Sequence, residues 1–378
     1  MTGRIPAEVF PPGEMLRDEL EARGWTQNDL AVILGRPFRL VNEIVSGKRA
    51  ISPETARGLG EALDTDPQFW MNLETAYRLS LVRGKEGEVA RRAKLYAMAP
   101  IKDMIRRHWI ESSERVEDIE QQVLRFFEIA SLDTPPALAA AARKSGSYSE
   151  TTPGQLAWLF RVKKMASTIS VPPYREDNLD RLLSDLGSLT SSEQEARRVP
   201  RLLTECGIRF LVVEHLPRTK VDGVALWLDA QSPVIALTIR FDRIDSFWFT
   251  LAHELAHIKY RHASGVDVDI AGDTPPDSSD ESELLANEFA SSFLVPPKEL
   301  DSFIARIRPL YSRTRINQFA NRIHVHPGII IGQLQRREEI KYSQGREMLV
   351  KIRDIVTQAS VTDGWGHFPH IADHATSF

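Results

Sequence analysis

The sequence predicts a multi-domain α+β protein: an all-α module at the N-terminus, a helical connector, and a C-terminal α+β domain with a small sheet. Three observations predict it. Residues 12–54 hold short helical segments stopped by Gly and started by Thr, Ser and Pro. Residues 207–239 hold three apolar, β-branched runs separated by turn-forming residues. Directly after them comes a long apolar helical segment centred on His253-Glu254-Leu255-Ala256-His257. A chain of 378 residues is expected to fold as two or three domains. The expected boundaries are 1–83, 84–200, 201–345 and 346–378, the last a C-terminal helix and flexible tail.

Pro12–Gly24 reads as an amphipathic helix ended by Gly. Thr26–Gly35 starts with an N-capping Thr and also stops at Gly, and Phe38–Gly47 makes a third helix. A fourth is capped by Ser52 with Pro53 in its first turn. Two short helices joined by a tight Gly turn are a helix-turn-helix. From Met1 to Arg83 there are 10 Lys and Arg against 12 Asp and Glu, so no basic domain stands here. Within Gly35–Ala50, however, Arg36, Arg39, Lys48 and Arg49 oppose only Glu43, a local net of +3. A few such groups neutralise phosphates in a salt-sensitive way, which points to DNA bound as a homodimer. Arg36, Arg39 and Asn42 would face base edges at the start of the third helix, while Gln27, Lys48 and Arg49 would hold phosphates. The competing reading is a helical interaction or dimerisation unit that has lost DNA binding.

The connector reads as helices with solvated basic stretches over Glu86–Ala130, a Pro-started helix at Pro135–Ala142 and a polar linker at Ser145–Pro153. Thr168–Tyr174 breaks the next helix, and Asn178–Leu186 and Glu193–Cys206 are amphipathic. No chemistry is expected of it. With 48 basic and 52 acidic residues, nothing pulls the whole chain toward nucleic acid or membrane. The single cysteine, Cys206, excludes an intrachain disulfide and reads as core. The N-terminus reads without a signal peptide and no apolar run approaches a membrane span, so a bacterial cytoplasmic protein is expected.

Gly207–Glu214, Val224–Leu228 and Pro233–Ile239 are the predicted strands, with Val234–Ile239 the candidate edge for an added substrate strand. Ser246–His262 reads as one continuous helix with no Gly or Pro. Histidines four apart lie about 40° apart around such a helix, so both imidazoles can meet one metal ion. Glu254, next to the first His, can act as general base toward a water at that metal. This is the zincin arrangement. A catalytic zinc needs a third protein ligand. His262, nine residues after His253, falls on the opposite side of the helix, and Ala263 stands where a metzincin needs its third His. Glu283 is the better candidate, opening a second apolar helix 26 residues after His257 and ended by Pro296-Pro297. Asn287, one turn on, could orient a zinc-bound histidine. Between the helices, Asp267–Glu283 carries seven acidic side chains and reads as a mobile surface loop. Tyr260, His262, Tyr311 and His326 are chemically able to stabilise an oxyanion, and none is singled out. The three histidines of Trp365–His374 read as a disordered terminus.

His-Glu-Leu-Ala-His followed by Glu-x-x-Ala-Asn-x-Phe-Ala-x-x-Phe-Leu-x-Pro resembles the ImmA/IrrE family of bacterial metallopeptidases over residues 205–340. The resemblance implies a gluzincin-like fold with His253, His257 and Glu283 as zinc ligands and Glu254 as catalytic base. It further implies a regulatory endopeptidase that cuts a repressor, antitoxin or partner in a stress, phage or toxin-antitoxin setting. At the N-terminus, Gly47-Lys-Arg-x-Ile-Ser-Pro-Glu54 and Phe69-Trp-x-Asn-Leu73 resemble the HigA antitoxins of the Xre/Cro class over residues 10–83. The alternative is an antitoxin or repressor whose zincin domain is a non-catalytic sensor or structural body.

Overall fold

The structure, a computed structural model, describes residues 10–81, 87–136, 151–262, 267–268 and 281–367. Two compact units are present, 1–89 and 90–378. In the first, α1 (Pro12–Arg23), α2 (Gln27–Ile33), α3 (Phe38–Val45), α4 (Pro53–Leu63) and α5 (Pro67–Leu81) surround Leu16, Leu30, Val41, Leu59 and Trp70. Local chemistry sets each start. Thr26 and Asp29 cap α2 reciprocally, at 3.1 and 2.8 Å, and Ser52 Oγ accepts from Thr55 N to cap α4. Gly13 lets α1 lie directly on α3, because a Cβ there would run into the Ile44 and Val45 carbonyls.

The second unit begins with α6 (Glu88–Met98), α7 (Ile101–Arg106), α8 (Val116–Phe126) and α9 (Pro153–Ser167), then α10 (Leu179–Leu189) and α11 (Val199–Glu205). The strands β1 (Arg209–Val213), β2 (Val221–Trp227) and β3 (Pro233–Leu237) lead into α12 (Ile244–Lys259). The rest is β4 (Asp267–Val268), α13 (Glu281–Leu294), α14 (Pro297–Ile307), α15 (Arg313–Ile323), α16 (Pro327–Arg336), α17 (Arg353–Thr357) and β5 (Val361–Asp363). Residues 137–150 lie outside the described residues, and with them most of the Pro-started helix and polar linker expected there. Among the described residues no helix is long and apolar enough to cross a membrane.

The strands form one mixed sheet of order β4-β2-β3-β1-β5. Successive side chains alternate between faces. Phe210, Val212, Ala225, Ile235 and Leu237 pack with α12, and Leu211, Val213, Val224, Val234 and Ala236 pack with Trp158 and Phe160 of α9. The helices read as a connector thus contribute a layer to this core.

Three expectations need correction. The Val234–Ile239 run, expected at the sheet edge, is interior: β3 pairs antiparallel with β2 and parallel with β1, and all five of its residues are buried. The segment 346–378, expected as a C-terminal helix and flexible tail set apart from the preceding domain, does hold a helix, α17, but its described part joins that domain. Ile352 is in the core and β5 pairs parallel with β1. Asp363 is fully buried against Arg161 of α9 and accepts from Trp109 Nε1 at 2.9 Å. The acidic stretch after α12 is not loop throughout, since Asp267–Val268 pair antiparallel with β2. Residues 269–280 and 368–378, including His370 and His374, lie outside the described residues.

Candidate metal centre and nucleic-acid face

Helix α12 is apolar nearly all round and buried from Ile244 through Ile258, so its few polar groups are shielded from water. His253 and Glu254 have no exposed surface and His257 has 6 %. The Nε2 atoms of His253 and His257 lie 3.0 Å apart. Helix α13 buries Ala286 and Ala290 and packs against α12, which places Glu283 over the same point. Its carboxylate oxygens lie 3.2 Å from His253 Nε2 and 3.6 Å from His257 Nε2. Three ligands bound tetrahedrally at roughly 2.0–2.2 Å would stand about 3.3–3.6 Å from each other. The donor set and its spacing therefore fit one zinc ion, with Glu283 the member open to solvent.

Both imidazoles are held from behind. Asn287 Oδ1 lies 3.1 Å from His253 Nδ1. His262 Nδ1 lies 3.1 Å from His257 Nδ1, which corrects its expected place across the helix. The helix does not run on to His262: it ends at Lys259, and Arg261 adopts φ 49°, turning the chain back. Beneath Glu254 runs β2, where Gly223 leaves the space that the carboxylate fills, and a Cβ at that position would collide with Glu254 Oε1. Gly223 was missed in the sequence because a glycine inside a strand signals close approach without naming the partner.

Tyr311 and His326 are bonded to other groups, whereas Tyr260 lies against His262. Tyr311 donates to Glu339 at 2.6 Å, and burial beside that carboxylate pushes its hydroxyl up to about 12. His326 caps α16 by accepting from Gly328 N at 3.0 Å, and burial holds its pKa below the usual histidine range. Tyr260 stacks on His262 at 5.5 Å. Cys206 is a buried free thiol whose pKa burial raises.

On the first unit, the six predicted DNA contacts gather around α2 and α3. Asn42 Nδ2 donates to Gln27 Oε1 at 3.1 Å, joining the two helices. Glu43 accepts from Arg39 Nε at 2.7 Å and lies 3.3 Å from Arg49, and the Arg39 bond holds its carboxyl below the usual range. Arg36 stands in the turn just ahead of α3, paired with Glu54. Lys48 is exposed after α3.

Two family models match the chain: a helix-turn-helix over residues 16–70 and the IrrE N-terminal-like domain of a peptidase family over residues 210–331. The chain belongs to the helix-turn-helix family and carries an IrrE-like domain. The helix-turn-helix domain is 39 % identical over 80 residues to virulence-associated protein I of Dichelobacter nodosus, covering 21 % of this chain and 74 % of that one. It is 38 % identical over 76 residues to an uncharacterized HTH-type transcriptional regulator of Haemophilus influenzae, covering 20 % and 68 %. Among solved structures, an addiction module antidote protein of the HigA family from Coxiella burnetii is 34 % identical, covering 22 % of this chain and 94 % of that one, with a TM-score of 0.21. The Pseudomonas aeruginosa antitoxin HigA, solved with the higBA promoter, is 38 % identical, covering 22 % and 91 %, also with a TM-score of 0.21. The IrrE-like domain holds every residue of the metal centre.

Proposed function

We propose that this chain is a DNA-binding regulator whose IrrE-like domain is a zinc endopeptidase acting on a regulatory protein in the bacterial cytoplasm. The observation that carries the reading is the convergence of His253, His257 and Glu283 on one point beside buried Glu254. Zinc held there supplies a Lewis acid that polarises a carbonyl and makes water a nucleophile at neutral pH. Glu254 takes the proton of the attacking water and returns it to the leaving amine. Burial of α12 excludes bulk water from that transfer, and Gly223 gives the carboxylate room to face the reacting atoms. The substrate backbone adds as a further strand beside the sheet that carries Gly223 next to Glu254.

The helix-turn-helix domain binds an operator as a homodimer through α3, with Arg36, Arg39 and Asn42 toward bases and Gln27, Lys48 and Arg49 on phosphates. Its likeness to an HTH-type transcriptional regulator supports this. The repressor, antitoxin or toxin partner that is cut belongs to a stress, phage or toxin-antitoxin system.

The Glu254→Gln variant tests the enzyme reading. It keeps the side-chain size and all three ligands but cannot accept the proton, and loss of a general base costs on the order of 10²–10⁴ in rate. Zinc content and DNA affinity should stay at wild-type values while cleavage of the cellular target, or of the chain itself, stops. Identical fragments and phenotypes from wild type and variant under stress or phage challenge would leave a repressor with an inert zincin body.

A further inference from the structure

We infer that His262 is a positioning residue for the metal centre, the acceptor that fixes His257 in the tautomer and ring orientation zinc requires. The inference rests on the zinc reading of that centre. His257 turns its Nε2 toward His253 and Glu283. For Nε2 to offer a lone pair to a cation, the ring proton must sit on Nδ1, and a bond from that N–H holds the ring in place. The atom that meets His257 Nδ1 is His262 Nδ1, at 3.1 Å. His262 therefore accepts there and keeps its own proton on Nε2.

The way α12 ends explains how a residue nine positions after His253 reaches the site. His262 N donates to the His257 carbonyl at 3.0 Å, and Arg261 N to the Ile258 carbonyl at 3.2 Å. With Arg261 left-handed at φ 49°, these are the two bonds of a Schellman motif, whose geometry brings the side chain two residues past the cap onto the one three residues before it. In most such motifs that contact is apolar; here it is His262 on His257. A non-glycine residue in the left-handed region costs roughly 1–2 kcal/mol. The Arg261 side chain offsets this by lying over the Trp227 ring at 4.8 Å, and Tyr260 stacks on His262 at 5.5 Å and fixes its plane. Asn287 does for His253 what His262 does for His257, so each imidazole has its own support.

The test measures zinc affinity of the full chain by chelator competition in three variants. The amide oxygen of Asn falls near the His Nδ1 position, and that of Gln near Nε2. His262→Ala should weaken zinc binding about 10- to 100-fold, the usual cost of losing an outer partner of a metal-bound histidine. His262→Asn should restore most of the loss and His262→Gln should not, with apo-protein melting temperatures alike in all three. Wild-type affinity in His262→Ala, or equal rescue by Asn and Gln, would overturn the inference while the zinc reading stands. A wild type that binds no zinc would overturn both.

Discussion

Single residues carry the chemistry proposed for the second unit, and one tightly constrained position among them has no side chain. Gly223 sits on β2 with the Glu254 carboxylate packed into the space where a Cβ would stand. Alanine there must push either the strand or the carboxylate away, and the carboxylate is the easier to move. Gly223→Ala should therefore keep zinc and melt near the wild-type temperature yet lose cleavage almost as fully as Glu254→Gln. Retained cleavage would show that Glu254 does not need its present position. Gly223 was illegible in the sequence because its partner Glu254 is distant in the chain, and His262 was placed on the wrong side because the helix was expected to run through it. His253, Glu254 and His257 were legible because four-residue spacing on a helix already sets their geometry.

At the scale of elements, α3 shows how local ion pairs temper a binding face. Glu43 draws Arg39 and Arg49 onto itself, so part of the local positive charge is already neutralised. Lys48→Ala should weaken DNA binding evenly across sequences, and Arg39→Ala should relax its sequence preference. Glu43→Gln should do the reverse, tightening non-specific binding and steepening the salt dependence by about one phosphate's worth. A mobility-shift titration over a range of salt reads all three. No promoter preference in the wild type would favour a protein-interaction role for this unit. The sequence placed these helices closely, because Thr26, Ser52 and the glycines act within a few residues. It did not reveal the Arg36–Glu54 pair, because Glu54 is brought near only by the fold of α4.

At the scale of the whole molecule, the division at residue 89 sets an expectation for unfolding. The proposed metal centre lies wholly in the second unit, and a ligand that binds only the native state stabilises the unit holding it. Calorimetry of the zinc-loaded chain should show two transitions, with chelator lowering one and leaving the other in place. His257→Ala and Glu283→Ala proteins should contain little zinc and show no chelator shift. Undiminished zinc in the Glu283 variant would move the third ligand elsewhere.

The sequence by itself determined the helix-turn-helix and the apolar helix bearing His253 and His257, which rest on short-range periodicity, caps and spacing, whereas Glu283 was pointed to by the resemblance over residues 205–340. Only the tertiary structure decided strand order, and it put the most apolar run, β3, in the middle, because a strand buried on both faces has no preferred edge to reveal. It also drew β5 from the far end of the chain, where three residues are too few for any pattern, and anchored it by the buried Arg161–Asp363 pair. Removing either partner of such a pair leaves an uncompensated charge in the interior, at a cost of about 3–5 kcal/mol. Pairings of that kind join residues 202 positions apart, and no local signal in the sequence can announce them.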